Sequence, residues 1–323
     1  MGQVIGVFAP IFVIALLGYA CGRLRLLGPA GPTVLSRFVF FVAMPPLIFI
    51  TLAKRQPAEV AHWDYLASYF AAVVIGGLVF FAVARVLFRE TGAKLALGIF
   101  TVVNGNAGYL GIPICLYAFG SPLPAILATV IHMIFAYPVL LTWTELDLAR
   151  AAGAPAASRA AKIGQVFLVV AKNPLMMATF LGVAAVAAGL VLPGWVERTC
   201  NLLGRGAIPV AVFALGLTLA EKDVDAGGVD VREIAVASVI KLALIPLLAF
   251  VIGRFAFGLS GEPLAALVFV AALPSPKNAF ILAQRYGVYV RRAAVTVFVT
   301  TLTSAVTLPL ILYAFGGVVS PGQ

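Results

Sequence analysis

The sequence predicts an all-α integral membrane protein of ten transmembrane helices in two inverted five-helix repeats. Three observations predict it. The 323-residue chain is 63% hydrophobic and only 11% charged, whereas soluble domains carry about 25% charged residues. It is built from apolar runs of about the 20 residues needed to cross roughly 30 Å of hydrocarbon. Two of these runs, at matching places in the two halves, are interrupted by Gly, Pro and polar residues.

The ten apolar segments are 3–22, 33–53, 64–84, 95–119, 123–144, 164–190, 196–220, 232–253, 263–284 and 293–316. No basic region precedes the first, which therefore reads as a transmembrane helix and not as a cleaved signal peptide. Pro45 and Pro209 fall inside the second and seventh segments. The longest polar break, 145–163, holds Glu145, Asp147, Arg150, Arg159 and Lys162. The chain therefore divides into a first five-helix repeat over 1–146, a cytoplasmic central loop over 147–163 and a second repeat over 164–323.

The Lys and Arg residues set the orientation, because cytoplasmic loops of membrane proteins are enriched in them. With the N-terminus outside, the external loops hold Lys54, Arg55, Arg198, Arg205 and Arg254, and Arg37, Lys172, Lys241 and Lys277 lie inside segments. The other 13 of the 22 basic residues are then cytoplasmic. That bias puts both termini outside the cytoplasm. It also explains the net charge of +10 without a nucleic-acid partner, since the basic residues are spread over short loops. Cys21, Cys115 and Cys200 form no CxxC pair and no Cys/His ligand spacing, so neither a metal site nor a disulfide framework is expected. No cofactor is expected either.

A shift of 169 residues relates the halves. It pairs Arg85 with Arg254, Phe88 with Phe257, Gly92 with Gly261, Leu95 with Leu264, Ala96 with Ala265 and Phe100 with Phe269. Five helices per half make the second half enter the membrane from the opposite side. That is an inverted repeat, common among secondary transporters.

The fourth segment contains Asn104, Gly105, Asn106, Ala107, Gly108, Tyr109, Leu110, Gly111, Ile112 and Pro113 in succession. Gly loosens a helix, and Pro removes a donor and clashes with the carbonyl four residues back. Backbone groups freed at membrane depth cost several kcal/mol unless protein or a watery cavity satisfies them. Leu273, Pro274, Ser275, Pro276, Lys277 and Asn278 interrupt the ninth segment at the aligned place. Kinks that merely ease packing would need neither the matched position nor the added polar residues. Paired breaks point to a binding site, and the N-termini of the second half-helices suit an anion.

At these residues the chain resembles the auxin efflux carrier family, which includes plant PIN-type carriers and bacterial malonate- or malate-permease-like proteins. Asn106 through Gly111, Ile112 and Pro113 look like that family's first crossover. Ala271, Ala272, Leu273 and Pro274, followed by Phe280, Ala283 and Tyr286, look like its second. The resemblance implies crossed broken helices 4 and 9. It implies a scaffold of helices 1, 2, 6 and 7, a transport domain of helices 3–5 and 8–10, elevator-type movement and organic-anion substrates. A homodimer through the scaffold helices and a bacterial inner membrane fit the same plan. Plant members often have proline where this chain has Ala279, and carry a long central loop; the short loop here looks like the bacterial permeases.

On this reading Asn104, Asn106, Tyr109, Ser275, Lys277 and Asn278 contact substrate, while Gly105, Gly108, Pro113, Pro274 and Pro276 hold the breaks open. A membrane-embedded lysine is a functional hypothesis by default. Lys277 either pairs with a substrate carboxylate, stands where related folds hold a cation, or bonds freed carbonyls of the other break. His132, in the fifth segment, is either a proton shuttle or a packed histidine. Lys241 and Arg37 are expected near a membrane face or bonded to carbonyls. Thr300, Thr301, Ser304 and Thr307 either line the cavity or glue helices together. No Asp or Glu lies deep within a segment, so coupling must use His132, Lys277, carbonyls or the substrate's own proton. The cargo expected is a malonate- or malate-like carboxylate. The alternatives are a sodium-coupled carrier of the bile-acid symporter type and a membrane-embedded sensor or channel. No HExxH, GxSxG or paired-acid motif supports an enzyme.

Overall fold

The computed structural model describes residues 2–55, 62–153, 161, 164–166, 168, 171–220 and 230–316. Among these the chain is entirely helical, with no strand. The helices are α1 (Gly2–Arg23), α2 (Gly31–Ala53), α3 (Trp63–Leu87), α4 (Gly92–Val103), α5 (residues 107–119) and α6 (Leu123–Ala151). They continue as α7 (Pro174–Ala187), α8 (Gly194–Leu219), α9 (Val231–Ala256), α10 (Gly261–Ala271), α11 (Lys277–Tyr286) and α12 (Val290–Ala314). Seven helical stretches are long and apolar enough to cross a membrane, α4 and α5 counting as one. Val13–Arg23, α7 and α10 are shorter apolar helices. Large apolar side chains such as Leu16, Val86, Leu202 and Phe255 stand on the outer surface, as a lipid-facing surface requires.

The fourth and ninth segments are each two helices. α4 ends at Val103 and α5 begins at Ala107; α10 ends at Ala271 and α11 begins at Lys277. The α4–α5 stretch is 83% buried along its apolar window, against 28–61% for the other six spans. Its freed backbone therefore faces protein, the condition membrane depth imposes. Left-handed backbone recurs at the spacing that relates the halves. Arg89 (φ 54°) and Gly258 (φ 66°), Gly92 and Gly261 (both φ 56°), and Gly120 (φ 64°) and Tyr289 (φ 61°) are each 169 residues apart.

Prolines shape four spots, one of them inside the first break. Wide π-helical turns at Val39–Ala43, Ala107–Gly111, His132–Ala136 and Ile240–Leu244 each stand two residues before a proline, namely Pro45, Pro113, Pro138 and Pro246. Proline cannot donate to the carbonyl four residues back, and the i→i−5 bond closing each wide turn carries the helix past the gap. Pro209, by contrast, sits inside the uninterrupted α8.

The central loop begins later than the sequence suggested. Residues 147–151 continue α6, because Asp147 accepts a hydrogen bond from the Ala93 N–H at 2.8 Å and so holds α6 against the start of α4. Residues 154–160, 162 and 163 of that loop lie outside the described residues.

Two packing groups are evident. α1 and α8 run together, with Gly18 facing the Phe213 carbonyl and Gly216 facing the Ala15 carbonyl; a methyl group at either position would strike backbone. α2 packs on α7 and α8, where Gly182 meets Leu52 and Gly204 meets Leu47. Small residues permit such approach where water supplies no driving force. α3, α4, α6, α9, α10, α11 and α12 pack among themselves. At one end Arg292 pairs with Glu90 and, at 2.9 Å, with Glu233, which also accepts from the Tyr289 hydroxyl at 2.9 Å. At α2's C-terminal end Lys54 pairs with Glu197 of α8, and Arg55 donates to Ser121 at 2.9 Å.

Candidate functional site

The two breaks meet. The Asn106 N–H donates to the Pro274 carbonyl at 2.8 Å, so unwound backbone from one half satisfies unwound backbone from the other. Within the first break the Asn104 amide folds back on the Phe100 carbonyl at 2.8 Å, capping the C-terminus of α4. Within the second, the Ser275 N–H donates to the Thr300 hydroxyl of α12 at 3.2 Å.

A cavity of about 1110 Å³ opens against the breaks, between α1, α2, α8 and α11. Asn106, Tyr109, Lys277 and Asn278 line it, together with Ser36, Phe40, Thr218 and Gln284. Among the described residues its lining contains four cations, Arg23, Arg25, Arg37 and Lys277, and no Asp or Glu. A smaller cavity of about 40 Å³ reaches the other face of the break, lined by Asn104, Gly105, Gly108, His132, Tyr137 and Pro276 among others. Asn106, Tyr109, Lys277 and Asn278 border both cavities. Pro113, Pro274 and Ser275 line neither of these two cavities; all three are buried in the packing behind the breaks.

Individual side chains are fixed from several helices. Lys277, the first residue of α11, donates to the Thr218 hydroxyl of α8 at 3.1 Å. Asn278 donates to the Tyr137 hydroxyl of α6 at 3.3 Å. Tyr109 donates to the Ser36 carbonyl of α2 at 3.2 Å and stacks on Phe40 at a centroid distance of 6.5 Å. Lys277 therefore joins α11 to α8, and Tyr109 joins α5 to α2. His132 is 3% exposed, with Nε2 3.1 Å from the Tyr69 hydroxyl. Thr300, Thr301, Ser304 and Thr307 line neither cavity; Thr300 instead braces the second break, and the hydroxyl of Ser304 bonds its own helix at the Thr301 carbonyl.

Three residues matter more than the sequence suggested. Arg37 lines the large cavity. Tyr137 anchors Asn278 and packs edge-on against Phe100; an aromatic in an apolar segment carries no signal by itself. Lys241 is 0% exposed, and its Nζ has no hydrogen-bond partner. It is therefore neither at a membrane face nor bonded to a carbonyl, because the wide turn at Ile240–Leu244 carries it to the back of the first break. No group of three or more His, Cys, Asp or Glu among the described residues is placed to hold a metal ion.

Residues 3–312 match the family described as membrane transport protein. Among curated relatives, a "Putative malonate transporter" of Rhizobium meliloti (strain 1021) is 28% identical over 316 residues, spanning 97% of this chain and 96% of that protein. The "Uncharacterized transporter YfdV" of Escherichia coli (strain K12) is 29% identical over 311 residues, spanning 96% of each chain. "Auxin efflux carrier component 8" of Arabidopsis thaliana is 23% identical, spanning 89% of this chain and 90% of that one. These relatives are transporters, not enzymes. A match over nearly the whole length, on a multi-pass helical chain with paired helix breaks, makes this protein a member of the membrane transport protein family, the family of the auxin efflux carriers.

Proposed function

We propose that the chain is a secondary carrier of small organic anions, with malonate- and malate-like carboxylates as cargo, held where two broken helices cross and moved by an elevator mechanism. One observation carries the cargo class: the large cavity at the breaks is lined by Arg23, Arg25, Arg37 and Lys277 and, among the described residues, by no acid. An anion entering it meets the N-termini of α5 and α11, each presenting roughly half a positive charge. Asn106, Tyr109, Lys277 and Asn278 are the direct contacts on this reading. Asn104, Gly105, Gly108 and Pro276 form the wall behind them, and Pro113, Pro274 and Ser275 keep the breaks in shape. The relative named for malonate agrees with the class.

In the proposed architecture α1, α7 and the α10–α11 pair complete ten spans with the seven long helices. The recurring 169-residue spacing of left-handed residues supports two inverted repeats divided at the central loop. α1, α2, α7 and α8 serve as scaffold, and the remaining helices carry the site. The bias of Lys and Arg supports both termini being outside the cytoplasm in a cell inner membrane, and the ion pairs agree with the ends that this topology brings together. Lys54–Glu197 joins two ends assigned to the outside, and Arg292 with Glu90 and Glu233 joins three assigned to the cytoplasm. The large cavity, bordered by Arg23 and Arg25, then faces the cytoplasm.

The test is flux. Purified protein in liposomes is expected to take up labelled malonate or malate saturably, under an imposed pH, sodium or voltage gradient. Uptake of indole-acetate is measured beside it, and Lys277→Ala is expected to lower carboxylate affinity at least tenfold. Absence of uptake of every carboxylate under every gradient would overturn the proposal.

A further inference from the structure

Lys241 is an unusual residue to find where it is. Its side chain is 0% exposed and its Nζ has no hydrogen-bond partner. A buried ammonium without compensation costs several kcal/mol. Two helix ends lie beside it. A methyl group on Gly105 would lie 3.6 Å from Lys241 Nζ and 3.7 Å from the Val270 carbonyl oxygen. Gly105 follows the C-terminus of α4, and Val270 is in the last turn of α10. Each helix C-terminus presents roughly half a negative charge, so the two together present about one. One lysine carries a charge of matching size and opposite sign. Two buried acceptors in the same breaks, Asn104 Oδ1 and Ser275 Oγ, are also without a partner.

We propose that Lys241 is a tethered cation: its ammonium occupies the meeting point of the two carbonyl ends and does there what a mobile coupling cation would otherwise do. This rests on the carrier reading only for its consequence, which is that anion binding at the opposite, N-terminal ends needs no sodium. Lys277, at the start of α11 and on the open cavity, is a contact for cargo; Lys241, lining neither cavity, is a positioning charge.

The experiment creates the vacancy and fills it. In substrate-free detergent solution, Lys241→Ala is heated with sodium, methylammonium or choline chloride at equal ionic strength. The expected result is that methylammonium or sodium at 100 mM raises the midpoint of the variant by about 3–5 °C, that choline does not, and that the wild type responds to none of them. A second pair separates charge from shape. Lys241→Met is expected to bind malonate at least tenfold more weakly than Lys241→Arg, and sodium is expected to leave wild-type affinity unchanged. This pair decides the matter if the alanine variant is not recovered. A folded Lys241→Ala with no cation-specific shift overturns the proposal, as does Lys241→Met binding malonate as tightly as Lys241→Arg. Wild-type protein that binds no carboxylate sinks the carrier reading instead, and the substrate-free melts then decide on Lys241 alone.

Discussion

The main-chain N–H of Asn106 and the carbonyl of Pro274, 2.8 Å apart, tie the two halves of the chain together at the points where both helices are unwound. The bond uses backbone, whereas the Asn106 side chain is on the cavity. The two roles separate by substitution. Asn106→Ala keeps the bond and is expected to fold normally while weakening carboxylate binding up to about tenfold, the worth of one hydrogen bond. Asn106→Pro removes the N–H, leaves a buried carbonyl unmet and is expected to lower the thermal midpoint as well. Melting and binding curves of the two variants check this.

The glycines of the first break differ in how tightly they are held. A methyl group at Gly111 would come within 2.6 Å of Leu273 Cδ1 and 3.2 Å of Ala125 Cβ, whereas at Gly105 its nearest neighbour is Leu273 Cβ at an ordinary 3.4 Å. Gly111→Ala is expected to cost about 1–3 kcal/mol by overpacking, and Gly105→Ala much less. Thermal midpoints measured in the same detergent rank them.

Arg292 stands between Glu90 and Glu233, and the Glu233 side chain is 1% exposed. Arg292→Ala strands a buried carboxylate and is expected to cost about 3–5 kcal/mol. Lys54→Ala breaks a pair whose side chains are 53% and 36% exposed, and is expected to cost no more than about 1 kcal/mol. Chemical or thermal unfolding of the two variants tests the contrast.

Thr91, at the N-cap of α4, makes no side-chain capping bond. Asp147 supplies the acceptor from α6, at 2.8 Å from the Ala93 N–H. Asp147→Ala is expected to cost about 0.5–2 kcal/mol, the range for a lost cap. The loss should appear in the thermal midpoint.

Orientation is open to labelling. Leu24 and Trp63 are 69% and 73% exposed and belong to opposite ends of the proposed topology. In cells expressing variants without the native cysteines, an impermeant maleimide is expected to label Trp63→Cys from outside and Leu24→Cys only after permeabilisation. The reverse pattern would invert the assignment of both termini.

Much of this was legible in the sequence because membrane solvent leaves few alternatives. Eight of the ten segments agree with the helices to within about three residues, whereas the fifth runs on to Ala151 and the sixth begins as α7 only at Pro174; both breaks fall where Gly, Pro and Asn announced them. Lys277 stood out because a charge among prolines is hard to explain otherwise. Lys241 did not, although it is the more deeply buried lysine. Its segment reads as a plain helix, and only three-dimensional packing reveals that the side chain ends at Gly105. Tyr137 and the bracing role of Thr300 were hidden for the same reason, being residues whose partners lie far away in the chain. Asp147 was read as part of a polar loop, since nothing local tells a loop aspartate from one that caps another helix.

The wide turns before Pro45, Pro113, Pro138 and Pro246 carry a consequence for how this chain can change. Each is in effect a one-residue insertion, since a wide turn takes up an extra residue without adding length to match. Everything downstream is rotated by about 100° relative to an unbroken helix. Tyr109, His132 and Lys241 all sit in such turns, so their aim depends on that extra residue being kept. Deleting one residue from a turn would restore a regular helix and leave the downstream face where it is, but the side chains within the turn would lose their aim. A one-residue deletion in one of these turns should therefore disturb the site while sparing the packing of the helix beyond it, whereas a second insertion there would have no bulge left to absorb it.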